Sequence, residues 1–320
     1  MKDLASIPMS RGVQRTDDSA GLPASLLDAI SAAGGLWSAG DYYAPAELIV
    51  RTAQDNGVRA LRIDARDLSW ITALPDLEFL HVRTDGRPSL DPIQHLLRLR
   101  GLTIETGALR GMLDLAAHPD LEWLKLKLSG KGGAANLPGV MAGHPMIRHL
   151  QLSEVPFTEL SGVAAAFPSV RFLGLFGADR LARLGDLGPW RDTLAGFSAT
   201  FAMRLRSLEG LDRLDRIESV GLEFGTIDGL GPLAGRESLR YLQVTAAYPT
   251  LGPLTGHRGI RMATLAMPAD GDLAPLRTWP SLAAMGGSQW IGHPIEGLPM
   301  LEELARDDDL RVEWRRAVHG

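Results

Sequence analysis

Residues 129–136, SGKGGAAN, gather glycines around Lys131, the composition of a loop that wraps a phosphate in backbone N–H groups. Such a loop needs a lysine followed by Ser or Thr at the head of a helix. Here Lys131 is followed by Gly132 and Gly133, so the run reads as a solvent-exposed insertion able to touch a partner at a rim. His144 and His149 stand five residues apart, whereas the helical zinc pair of an HExxH frame stands four apart, and no metal site is expected. His118 and His144 precede proline in AAHPDL and AGHPMI, which is turn chemistry. The chain has no cysteine, which removes disulfides, thiolate zinc sites and cysteine nucleophiles. No GxSxG and no Ser–His–Asp grouping can be placed. An enzyme would use residues on one strand face, such as Asp64, His81 and Glu105. Asp307, Asp308 and Asp309 lack the alternation of a calcium loop. Arg311, Arg315 and Arg316 beside Trp314 read as a solvated edge.

Composition narrows the field further. Lys and Arg total 33 against 38 Asp and Glu, a net charge of -5, which disfavours nucleic acid as a partner. The opening MKDLASIPMSRGVQRTDDSAG lacks the apolar core of a signal peptide, and no apolar run long enough to cross a membrane occurs. A cytoplasmic protein with no membrane partner and no cofactor is expected. Abundant Ala, Gly, Arg and Leu beside scarce Lys suggest a high-GC bacterial genome.

The elements that position these residues recur. ALRIDARDLSWITALPDL, GLTIETGALRGMLDLAAHPDL and SVGLEFGTIDGLGPLAGRESL each read apolar-x-apolar, a polar stretch, spaced apolar residues and a closing leucine. The first apolar residue of each short strand falls at Leu61, Leu80, Leu102, Leu124, Leu150, Leu173, Phe197, Val220, Leu242, Ala263 and Met285, at intervals of 19 to 26 residues. The chain resembles the leucine-rich repeat family over residues 58–287. That resemblance implies an α/β solenoid of ten to eleven repeats, a leucine-rich repeat horseshoe. Its parallel β-sheet would line the concave face, with short helices and 3-10 turns on the convex face. The family's ladder asparagine falls on Arg66, Asp85, Gly107, Ser129, Val155, Ala178, Ala202, Gly225, Ala247 and Pro268, none of them Asn, so small residues, turn geometry or water must satisfy the turn backbone.

The expected organisation is a flexible segment at 1–20, a helical N-terminal cap at 21–57 with a helix over 45–55, the solenoid at 58–287, and a C-terminal cap at 288–320. The x residues of each strand face away from the leucine core. Among them Phe79, Trp123, His149, Phe172, Phe176 and Tyr241 form an aromatic series, of types that dominate interface energetics. Arg62, His81, Arg83, Lys125 and Lys127 form a basic group interleaved with Asp64 and Glu105, and Gln151 lies beside them. The same aromatics could equally pack laterally and merely fill the face. The favoured function is a non-enzymatic scaffold, monomeric or weakly homo-oligomeric, holding a protein or peptide with acidic and apolar groups. It would serve as an immunity, regulatory or biosynthetic accessory protein. An enzyme or enzyme partner using the same face, and a self-assembling structural protein, are the alternatives.

Overall fold

Alternation commits one side of a strand to a core, and a strand buried on that side needs neighbours in register. The computed structural model describes residues 14–15, 24–40, 45–83, 88–105, 110–111, 113–127 and 142–286. The chain divides into two compact units, Met1–Met146 and Ile147–Gly320.

In the first unit β1 (Gln14–Arg15) runs antiparallel to β2 (Trp37–Gly40). Then β2, β3 (Ala60–Asp64), β4 (Phe79–Val82), β5 (Gly101–Ile104) and β6 (Trp123–Lys127) are parallel, with Leu61, Leu80, Leu102 and Leu124 side by side. Helices α1 (Ala24–Ala32) and α2 (Ala46–Asp55) precede the repeats. The helix expected over 45–55 is α2, entered from Pro45. The strands β1 and β2 were not expected. Their sequences are too short and too poor in β-branched residues to read as strands alone; β2 forms by pairing with β3, and β1 by pairing with β2.

In the second unit β7 (His149–Ser153), β8 (Phe172–Phe176), β9 (Gly196–Thr200), β10 (Ser219–Glu223), β11 (Tyr241–Val244), β12 (Met262–Leu265) and β13 (Ala284–Gly286) are all parallel. Leu150, Leu173, Phe197, Val220, Leu242, Ala263 and Met285 stand in one lateral row, each at most 2% exposed. The crossovers carry 3-10 turns such as Asp91–His95, Gly188–Trp190, Gly231–Leu233 and Gly252–Leu254, and one short helix, α3 (Ser161–Ala166). Proline at the start of those four turns has its φ already set and lacks only an N–H that would have no partner. The expected C-terminal cap at 288–320 and the loop at 129–136 lie outside the described residues.

Without asparagine, turn geometry satisfies the turn backbone of β7 to β9. Val155, Ala178 and Ala202 are buried at the ladder position. Just before them the N–H groups of Glu154, Gly177 and Phe201 donate to the carbonyls of Phe176, Thr200 and Glu223 at 2.7, 2.9 and 3.1 Å. A second set of donors works at the far side of the repeats. Trp190 Nε1–H donates to Phe167 O and Trp279 Nε1–H to Leu254 O, both at 2.7 Å, and Ser238 Oγ–H donates to Ile217 O at 2.8 Å. His118 Nδ1 lies 3.1 Å from Leu96 O. His144 Nδ1 accepts from Met146 N–H at 3.2 Å, and His257 Nδ1 from Gly259 N–H at 3.1 Å. These side chains bind neighbouring turns where a leucine could only fill space.

Burial pushes the imidazoles of His118, His144 and His257 below their ordinary 6.5. Each is neutral in the fold and takes up a proton more readily once unfolded. Their contribution is therefore fully present above the unfolded value of 6.5 and is lost as pH falls below it. The urea midpoint should drop between about pH 7 and pH 5. A midpoint level across that window would show that the three rings are not buried in neutral form.

Candidate partner-binding face

On the side of the sheet away from the leucine core, the first unit presents its side chains in rows. The row nearest the strand starts is apolar: Leu36, Ala60, Phe79, Gly101 and Trp123. Helix α1 covers it. Leu26, Ile30 and Ala33 recur at four and three residues, which puts them on one stripe of the helix. That stripe packs with Leu36 on Ala60, Phe79 and Trp123. The rings of Phe79 and Trp123 lie 6.0 Å apart at 54°, and the Arg100 guanidinium caps both, 5.9 and 5.4 Å from their centroids. Gly101 lies beneath: a Cβ there would fall 2.7 Å from Phe79 Cδ1 and 3.2 Å from Leu26 Cδ1.

This corrects the expectation for three site residues. Phe79, His81 and Trp123 are only 3%, 6% and 8% exposed, so they do not present themselves to solvent. The strand alternation does aim Phe79 and Trp123 away from the leucine core, but helix α1 occupies the space in front of them. The signal was present in the apolar spacing of Leu26, Ile30 and Ala33, and in Gly101 standing between two aromatics. Helix-to-sheet docking is non-local, however, and no strand pattern reports it.

The next row of the first unit is polar: Ser38, Arg62, His81, Thr103 and Lys125 stand side by side. Beyond it come Asp64, Arg83, Glu105 and Lys127. Glu105 holds the two rows together. Its Oε1 accepts from Lys125 Nζ at 2.9 Å, and its Oε2 lies 3.3 Å from His81 Nε2. The hydrogen bond from His81, then Lys125, pulls the Glu105 carboxyl down to about 2 against the opposing effect of burial. Glu105 is thus a fixed anion near neutral pH and a poor proton donor. Arg62 and Lys127 are half-buried, while Asp64 and Arg83 are exposed. Of the three residues an acid–base site would need, the structure brings His81 and Glu105 together. Among the described residues no three His, Asp or Glu side chains could hold a metal ion.

In the second unit the aromatic positions pack on each other. His149 stacks on Phe172, with centroids 4.8 Å apart and planes at 6°. Burial first, then Arg171 and Arg148, pushes the His149 imidazole down to about 4. Phe172 lies over Gly196, whose Cβ would stand 2.5 Å from Phe172 Cδ1. Tyr241 and Gln151 are half-buried and Phe176 is exposed. Phe201 and Phe224, one residue past their strands, are exposed beside Phe176 and were missed by reading strand positions alone. Each directly follows its strand, and their spacing of 23 residues is close to the repeat.

Parallel strands in leucine register, crossed by 3-10 turns, define a leucine-rich repeat solenoid. No family model and no curated protein matches the sequence. Among solved structures the chain is similar to an internalin (inlF) from Listeria monocytogenes, with a TM-score of 0.50 and 17% sequence identity over 71% of this chain and 66% of that one. The chain therefore spans less than two thirds of that internalin's length, and at this identity the likeness speaks for the fold alone. No helix among the described residues is long and apolar enough to cross a membrane.

The packing of α1 sets an expectation for Trp123. Trp123→Ala should lower stability by about 3–5 kcal/mol, as buried aromatic truncations do, and Gly101→Ala should destabilise in the same direction by pushing Phe79 into Leu26. Urea unfolding followed by circular dichroism measures both. An unchanged midpoint for Trp123→Ala would mean that α1 does not rest on that ring.

Proposed function

We propose that this chain is a non-enzymatic scaffold that binds a protein or peptide on the outward face of its strands. What carries the reading is the in-register display of charged side chains on the sheet beside α1, of which Asp64 and Arg83 are exposed and Arg62, Lys125 and Lys127 half-buried. A leucine-rich repeat fold supports such a role in general. In the first unit Arg62, Arg83, Lys125 and Lys127 outnumber Asp64 and Glu105, four cations to two carboxylates, so an acidic segment is the complementary ligand. His81 supports this surface from below by orienting Glu105. In the second unit His149, Gln151, Phe172, Phe176 and Tyr241 provide the apolar and amide contacts.

Residues 58–287 form the binding array in this reading, 21–57 and 288–320 close its ends, and 1–20 lead into it. The chain works in a bacterial cytoplasm as a monomer or weak homo-oligomer, in an immunity, regulatory or biosynthetic accessory role. The test is capture of the partner from the source lysate by crosslinking, followed by calorimetry with the purified pair. The double variant Arg83→Glu with Lys127→Glu should weaken binding by roughly tenfold at low salt, and the difference should shrink at about 0.5 M salt. Equal affinity for wild type and variant at low salt would remove the charged rows from the interface.

A further inference from the structure

Three phenylalanines stand exposed in a line at the C-terminal ends of β8, β9 and β10: Phe176 at 47%, Phe201 at 39% and Phe224 at 52%. Phe201 and Phe224 stack with centroids 4.3 Å apart and planes at 3°, and Phe176 meets Phe201 at 5.3 Å and 86°. Met203, 55% exposed, continues the patch, and a Cβ on Gly225 would stand 3.9 Å from its Sδ.

Their backbone makes these rings unusual. Phe201 and Phe224 have φ of 56° and 61°, the left-handed region that bulky residues avoid at about 1–2 kcal/mol each. The repeat demands that conformation at this turn, since Glu154 and Gly177 share it with φ of 54° and 63°. It does not demand phenylalanine, and glycine serves at the neighbouring position. Two aromatics therefore sit where glycine would be less strained, and their exposure leaves much of that strain without compensating burial in this chain. Backbone strain combined with exposed aromatic surface points outward, to a ligand.

The surroundings limit what that ligand can be. Across β7 to β10 the outward strand positions carry no Lys or Arg; Glu223 is their one carboxylate and accepts from Gln243 Nε2 at 2.7 Å, His149 is their one imidazole, and Glu154 follows β7 at the turn position. Beside the ladder the sheet offers Gln151, Gly174, Ser198, Gly221 and Gln243, small residues and amides suited to a polypeptide backbone. The facing sides of Phe201 and Phe224 are already taken up by each other, which leaves less ring face for stacking on a sugar. We propose that the Phe176–Phe201–Phe224 ladder is an anchor site for an extended, uncharged polypeptide segment that lays an aliphatic or aromatic side chain against the rings. The site needs nothing from the charged rows of the first unit and stands or falls apart from them.

An array of short synthetic peptides tests this, with Ser, Gly and Gln backgrounds carrying Leu, Phe or Trp, and matched sets carrying Asp and Glu or Lys and Arg. The wild-type chain should retain the uncharged apolar peptides. Phe201→Gly with Phe224→Gly should lose them by roughly tenfold or more, while its unfolding midpoint holds or rises because glycine relieves the strained φ. Phe176→Ser, at a position without that strain, should also weaken retention. Lys127→Glu should leave retention unchanged, which separates this site from the charged face. Retention of no peptide, equal retention by the double variant, a preference for charged peptides, or binding to a glycan array in their place would overturn the proposal. So would wild-type dimers in sedimentation that the double variant abolishes, since a second copy would then be the occupant.

Discussion

Everything in this chain depends on the lateral register of short parallel strands. One x-L-x-L-x segment cannot bury its own leucines. It becomes stable only when the strands on either side bring theirs to the same height, and the crossovers must then fit within about 22 residues. Once Leu150 stands beside Leu173 and Leu173 beside Phe197, the outward residues are fixed too, because the strand alternates with period two. The rows of unlike chemistry on the open side follow from the same register as the core. A one-residue slip in any strand would bring its polar row inward.

That constraint explains which features could be read from sequence. The recurring strand positions from Leu61 to Ala263 were legible because burial of one side repeats along the chain. The crossovers were legible in outline because a polar stretch and spaced apolar residues follow each strand, and the family resemblance then implied 3-10 turns. The exposure of the aromatic positions was not legible. Alternation says which way Phe79 and Trp123 point but not what lies in front of them, and the answer came from α1, some 50 to 100 residues earlier in the chain. Phe201 and Phe224 escaped notice because they follow their strands, where the pattern assigns no direction.

The missing asparagine ladder shows how one role can be divided among several residues. A buried side-chain amide would satisfy the turn backbone within each repeat. Here the turn N–H groups of Glu154, Gly177 and Phe201 reach the next strand's carbonyls instead, which requires left-handed backbone at the turn and small or apolar residues behind it. The indoles of Trp190 and Trp279 then tie each of their repeats to the preceding one from the other side. The same requirement for left-handed turns creates the positions at which Phe201 and Phe224 are strained.

Aromatic residues on an open sheet face therefore divide into two physical kinds. Phe79 lies over Gly101, and Phe172 over Gly196, each ring filling the space that the next strand's missing side chain leaves. Such rings complete the sheet surface, and in the first unit a helix then seals them. For Phe79, burial within the chain already accounts for the ring, whereas Phe172 is only half-buried and keeps part of its surface open. Phe176, Phe201 and Phe224 are of the other kind: exposed, stacked on one another without cover, and in two cases held in a conformation that phenylalanine resists. Burial fraction and backbone strain, taken together, separate the aromatics that finish the fold from those that await something outside it.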